Sequence, residues 1–145
     1  MEDADVPTGT KKKRVLFVCG HNAGRSIAAE AIARKNRLDI QVASAGTAPS
    51  GKVNQAVLDA LQAAGVPTED LRSKSLEDDE VTPLDSWDMV ITMGCMQMQC
   101  GTDGALKAKL SAQTKLEDWG LPDPAKDPAV IPFIIESIQQ RVATL

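Results

Sequence analysis

Val15 to Val18 is an unbroken apolar run, the pattern of a strand buried on both faces of a sheet. From Ser26 to about Arg37 the pattern changes: Ile27, Ala28, Ala31 and Ile32 recur at helical spacing, with Glu30, Arg34 and Lys35 on the opposite face. That spacing predicts an amphipathic helix lying on the sheet. Ile40 to Ala43 alternates and reads as a second strand, ended by Ser44-Ala45-Gly46-Thr47 and the turn-rich Pro49-Ser50-Gly51. Val57, Leu58, Leu61 and Ala64 mark a second helix from about Asn54, with Gly65 placed to stop it. Arg72 to Leu76 reads as a short exposed segment, and Asp78 to Leu84 as a turn or short acidic helix. Asp88 to Met93 is a third, strongly apolar strand, and Thr114 to Trp119 a short fourth. In the last helix Ile134, Ile135, Ile138, Val142 and Leu145 form one apolar face, with Pro132 tolerated in the first turn. Strands alternating with helices predict an α/β fold with a small doubly wound parallel sheet, joined by right-handed crossovers.

The length of 145 residues suits one compact domain. Residues 1 to 13 carry no periodicity and read as a mobile tail, leaving 14 to 145 as the domain. The basic run Lys11 to Arg14 reads as a solvated strand end. With two Phe, two Trp and no Tyr, the core must be aliphatic. A net charge of −4 disfavours nucleic acid and anionic membranes as partners. No apolar run approaches the ~20 residues of a membrane span, and the acidic N-terminus is unlike a signal peptide, so a reducing cytoplasmic location is expected. Three cysteines are an odd number for a structural disulfide framework and fit catalytic or metal-binding thiols better.

One of those cysteines ends the first strand. The string from Cys19 reads Cys-Gly-His-Asn-Ala-Gly-Arg-Ser, so Gly20, His21, Asn22, Ala23 and Gly24 make a short turn that closes on Arg25 and Ser26 at a helix start. Backbone N–H groups in such a turn curl into a nest for a tetrahedral anion, and the helix N-terminus points its positive end at the same place. The field that holds the anion also favours a thiolate on Cys19. Arg25 adds a planar fork that grips two oxygens at once, which lysine does not. Ser26 is close enough in sequence to hydrogen-bond the sulfur. The competing reading of Cys19, a small buried residue at a strand end, leaves the glycine, arginine and helix unexplained.

Cys-x5-Arg-Ser after a hydrophobic strand resembles the phosphate loop of the low-molecular-weight protein tyrosine phosphatase superfamily, and His21 to Ser26 is most similar to its arsenate reductase branch. The resemblance implies four parallel strands in the order 2-1-3-4, with the phosphate loop at the carboxyl end of the first. It also gives Asp123-Pro124, otherwise a common turn pair, a role: in the superfamily the aspartate of such a pair faces the phosphate loop and transfers protons. Phosphotyrosine phosphatases commonly follow that pair with aromatic residues, where this chain has Ala125 and Lys126. The missing aromatic wall favours a small inorganic oxyanion, arsenate or a phosphate-like ion, as substrate.

Cys95 and Cys100 follow the third strand directly, which in a parallel sheet ends on the same edge as the Cys19 strand. The arsenate reductase branch carries two further cysteines there. The resemblance thus implies reduction of arsenate through a Cys19 adduct, a Cys19–Cys95 disulfide and a shuttle to Cys95–Cys100. An external thiol reductant follows: thioredoxin, glutaredoxin or a low-molecular-weight thiol, the spacing leaving the choice open. No bound cofactor is implied. The alternative is a phosphatase that uses Cys19, Arg25 and Asp123 through a phosphocysteine. Metal ligation by the three cysteines and His21 is disfavoured, because Cys95-x4-Cys100 is wide for a zinc knuckle and Cys19 has no second pair. Asn22 is expected to fix the loop by side-chain hydrogen bonds within reach of Ser44, while His21 acts through its main chain.

Overall fold

The computed structural model describes residues 12–47, 49–93, 113–122 and 127–145. Four strands, β1 (Lys13–Cys19), β2 (Ile40–Gly46), β3 (Met89–Thr92) and β4 (Lys115–Asp118), form one sheet in the order β2-β1-β3-β4. Every pairing is parallel. Three α-helices lie among the described residues: α1 (Arg25–Asn36), α2 (Gln55–Ala63) and α3 (Ile131–Ala143). The register sets Cys19 beside Gly46, Val18 beside Thr92 and Thr92 beside Asp118, so all four strands end along one edge. This is the α/β fold and strand order anticipated from the sequence, and the carboxyl edge is where open parallel sheets bind ligands.

Strand β1 lies in the middle and is buried from Val15 to Cys19. Its pleat divides the core. Val15, Phe17 and Cys19 join the three helices through Ile32, Val57, Leu61, Ile134 and Ile138, and Phe17 meets Trp119 at a ring separation of 5.6 Å. Leu16 and Val18 face the other way, against Leu76, Val81, Trp87 and Val90. The apolar face of α3 is buried as its periodicity predicts, at Ile131, Ile134, Ile135, Ile138 and Val142.

Two surface expectations are corrected. Helix α1 is buried throughout its first nine residues, and Glu30 is only 1% exposed; only the last turn, with Arg34 and Lys35, faces solvent. Glu30, expected on the solvated face with Arg34 and Lys35, is instead paired with Lys74 of the segment 72–75. There Lys74 is buried, not exposed, because Gly46 N donates to Lys74 O at 2.8 Å and Ser75 bridges Gly46. Asp78 to Leu84 begins as hydrogen-bonded turns, with Val81 N donating to Asp78 O. Arg72 pairs with the Asp78 carboxylate through both terminal nitrogens and holds it below the usual carboxylate range. No helix among the described residues is long and apolar enough to cross a membrane.

Helix α2 starts where the sequence places it because Asn54 Oδ1 accepts from the Ala56 and Val57 N–H groups, at 2.9 and 3.3 Å. It stops at Gly65, whose φ of +77° is open to glycine at little steric cost. Removing the cap by Asn54→Ala should cost about 1 kcal/mol, read as a lowered urea midpoint with an unchanged slope. Asn54→Asp should retain most of that stability.

Candidate active site

The chain leaves β1 at Cys19 and re-enters regular structure at Arg25, and the five residues between fold back against the end of β2. Three of their carbonyl groups, and that of Cys19 before them, are hydrogen-bonded to neighbouring backbone and side chains. Cys19 O accepts from Thr47 N, His21 O from Ser50 N and the Ser73 hydroxyl, Ala23 O from Asn54 N at 2.7 Å, and Gly24 O from Ala28 N inside α1. The backbone N–H groups of Asn22 to Arg25 have no backbone acceptor among the described residues. A loop with these acceptors engaged and its donors uncommitted, at the N-terminus of a helix, is built for an anion. Gly46 makes the close packing possible. A Cβ there would lie 2.7 Å from Gly20 O and 3.0 Å from both Asn22 N and Asn22 Cβ.

Cys19 is buried, its Sγ 3.0 Å from Ser26 Oγ. Asn22, at φ +49°, sits in the left-handed region that asparagine tolerates better than most residues. Its side chain is wholly engaged: Nδ2 donates to Ser26 Oγ at 2.8 Å and to Ser44 Oγ at 3.1 Å, and Oδ1 accepts from Lys74 N at 2.7 Å. The expected reach to Ser44 is therefore present. Arg25 is buried, with Nη1 donating to Met93 O at 2.7 Å and Leu121 O at 3.0 Å. Those two carbonyls stand just beyond β3 and β4. Its Nε and Nη2 have no acceptor among the described residues, which leaves a two-pronged donor for a ligand.

Comparison with known proteins places this geometry. The model of the family described as low molecular weight phosphotyrosine protein phosphatase matches residues 14–145. The chain belongs to this family. An arsenate reductase of Bacillus licheniformis is 35% identical over 117 residues, covering 79% of this chain and 76% of that protein. The thioredoxin-dependent arsenate reductase Cg_ArsC1' of Corynebacterium glutamicum is 33% identical with a TM-score of 0.71. It aligns with 94% of this chain, which spans only 61% of that longer one. A solved arsenate reductase in the phosphate binding state is 28% identical, with a TM-score of 0.75 and coverage of 91% and 95%.

Within this family member, the site residues read from the sequence divide into two groups. Cys19, Gly20, His21, Asn22, Ala23, Gly24, Arg25 and Ser26 follow one another from the end of β1 to the start of α1, and the His21 carbonyl accepts from Ser50 N and the Ser73 hydroxyl. Cys95, Cys100 and Asp123 lie outside the described residues. No group of three or more His, Cys, Asp or Glu is placed to hold a metal ion among the described residues. Two charged residues that sequence reasoning passed over reach the loop from behind. Glu30 Oε1 accepts from Ser44 Oγ at 2.5 Å and from Lys74 Nζ at 3.3 Å, while Oε2 pairs with Arg34. Glu30 and Lys74 side chains are each 1% exposed.

Because the Gly46 contact is with backbone, Gly46→Ala should leave the sheet intact but push the loop from its seat, at a cost of roughly 1–3 kcal/mol. The measurement is phosphate or sulfate protection of Cys19 against alkylation, which should weaken markedly in the folded variant. Unchanged protection would show that the loop tolerates the methyl group.

Proposed function

We propose that this chain reduces arsenate to arsenite, with Cys19 as nucleophile and Cys95 and Cys100 as a disulfide relay. The observation that carries the reading is the placement of Cys19 and its anion loop beside the end of β3, where Met93 N donates to Val18 O. Cys95 follows Met93 by only two residues, at most about 7 Å of extended chain. The arsenate reductases among the similar proteins support the choice of substrate.

In this reading arsenate occupies the loop of residues 20 to 25, its charge met by the N–H groups, the α1 terminus and the fork of Arg25. The Cys19 thiolate attacks arsenic, forming a sulfur–arsenic bond as one arsenate oxygen leaves as water, with Asp123 moving the proton. Cys95 then attacks the Cys19 sulfur. The sulfur–sulfur bond forms as the sulfur–arsenic bond breaks, and its electron pair stays on arsenic, which departs as arsenite. Cys100 attacks Cys95, releasing Cys19 as a thiolate and leaving a Cys95–Cys100 disulfide. An external dithiol reduces that bond, and thioredoxin is the first to test, since one similar structure is thioredoxin-dependent. The relay requires a reducing compartment, in keeping with a cytoplasmic location.

Arsenate supplied with thioredoxin, its reductase and NADPH should give stoichiometric arsenite, whereas para-nitrophenyl phosphate should turn over far more slowly. Cys19→Ser should abolish both reactions, because an alcohol in the loop stays protonated. Hydrolysis of the phosphate ester with no arsenite formed would instead establish the phosphocysteine reading.

The relay has its own signature. Cys100→Ser should complete one turnover and trap a Cys19–Cys95 disulfide visible by peptide mapping, and Cys95→Ser should stall before arsenite release. Normal thioredoxin-linked turnover by Cys95→Ser would rule the relay out. Arg25→Lys should fold and lose much of its oxyanion affinity, since a point charge does not reproduce the two-pronged contact.

A further inference from the structure

At the opposite end of the sheet from Cys19, a polar cavity of about 270 Å³ lies beneath the last turn of α3. Three cations from three elements line it: Lys13 at the start of β1, Lys115 at the start of β4 and Arg141 of α3. The pleat explains why they converge. Val15, Met89 and Lys115 stand side by side in the register, and Val15 and Met89 face the helices. Lys13, two positions before Val15, shares that face, whereas Arg14 between them turns to the other and stacks on Trp87. The two lysines are thus two strand spacings, about 10 Å, apart across the sheet. Buried Met89 lies between them, and Arg141, over the Trp119 ring, makes the third corner.

None of these three cations forms an ion pair among the described residues, although Arg34, Arg37, Arg72 and Lys74 all do. One side-chain carboxylate shares the cavity, Glu117, and it accepts from the Trp119 indole at 3.1 Å. The last carbonyls of α3 are taken as well, Arg141 O by Thr144 and Val142 O by Arg37. A cleft lined by one sign of charge repels itself and concentrates counter-ions, here in a chain whose net charge is −4. Lysine meets phosphate oxygens as a movable point charge and arginine as a planar fork. We propose that Lys13, Lys115 and Arg141 form a second anion subsite, remote from the loop that follows Cys19, for a compact diphosphate group. The spacing of the lysines suits two linked phosphoryl groups better than one. Six residues of strand, about 20 Å, separate Lys13 from Cys19, so one small anion does not occupy both places.

The test reads each site separately. Pyrophosphate titrated into the isotope-labelled full chain at constant ionic strength should shift the amide NMR signals of Lys13, Lys115, Thr144 and Leu145 along one saturable curve, distinct from that of residues 20 to 25. The variant Lys13→Gln/Lys115→Gln/Arg141→Gln should weaken the first curve about tenfold or more and leave the second unchanged. Should it not fold, Lys13→Gln/Lys115→Gln, which alters only exposed side chains, decides in its place. ADP carries the same group on a nucleoside: tighter binding than pyrophosphate assigns the diphosphate to a nucleotide, weaker binding to the free ion, and either supports the subsite. Absence of a saturable shift at the first set of amides overturns the proposal. So does a shift that chloride matches at equal ionic strength, or one that survives in the folded variant. Neither arsenate nor a reductant enters this titration, so its outcome is independent of the substrate assignment.

Discussion

The site depends on one residue held in an unfavourable conformation. At φ +49° Asn22 turns the chain so that its neighbours' carbonyls are hydrogen-bonded to surrounding backbone and side chains, and a non-glycine residue there carries a conformational cost on the order of 1 kcal/mol. Three side-chain hydrogen bonds, to Ser26, Ser44 and the backbone of Lys74, offset that cost and make the conformation specific. Glycine would adopt the backbone angle more readily and provide none of the three. The loop's shape is thus set from below by side chains, while its upper surface stays open to a ligand.

The elements that supply those partners come from separate parts of the chain: Ser26 and Glu30 from α1, Ser44 from β2 and Lys74 from the segment that bridges Gly46. Strand order brings them together. β1 has β2 on one side and β3 on the other, so the loop that leaves β1 is flanked by both neighbours' ends. On the β2 side it meets Gly46 and the buried polar chain; on the β3 side it meets the carbonyl of Met93 through Arg25.

What was legible in the sequence was local. The apolar run of β1, the glycines and arginine of the loop, the start of α2 near Asn54 and the helical face of α3 each carry their signal within a few residues, and each stands where it was read. Glu30 and Lys74 were not legible. Glu30 has Arg34 one turn ahead, the usual mark of a solvated helix face, and the two do pair. What buries Glu30 is a segment more than forty residues later, and nothing in Arg72 to Leu76 announces that its lysine turns inward. Charged residues read as surface unless a partner is known, and here the partners are joined only by the tertiary fold. The short fourth strand read over Thr114 to Trp119 is β4, Lys115–Asp118, whose exposed and part-buried residues alternate as on a sheet edge.

The division of the core by β1 also makes the molecule its own optical probe. The chain has two tryptophans and no tyrosine, with Trp119 buried on the helix side beside Phe17 and Trp87 buried on the other side, its indole N–H donating to Val81 O. Intrinsic emission therefore comes from two fluorophores that sit in separate halves of the interior. Trp119 stands two residues before the carbonyl that Arg25 holds, whereas Trp87 rests under the Arg14 guanidinium at the far end of the strands. Replacing either ring by phenylalanine leaves a single-tryptophan protein whose spectrum belongs to one face of the sheet, one of them adjoining the anion site and the other remote from it.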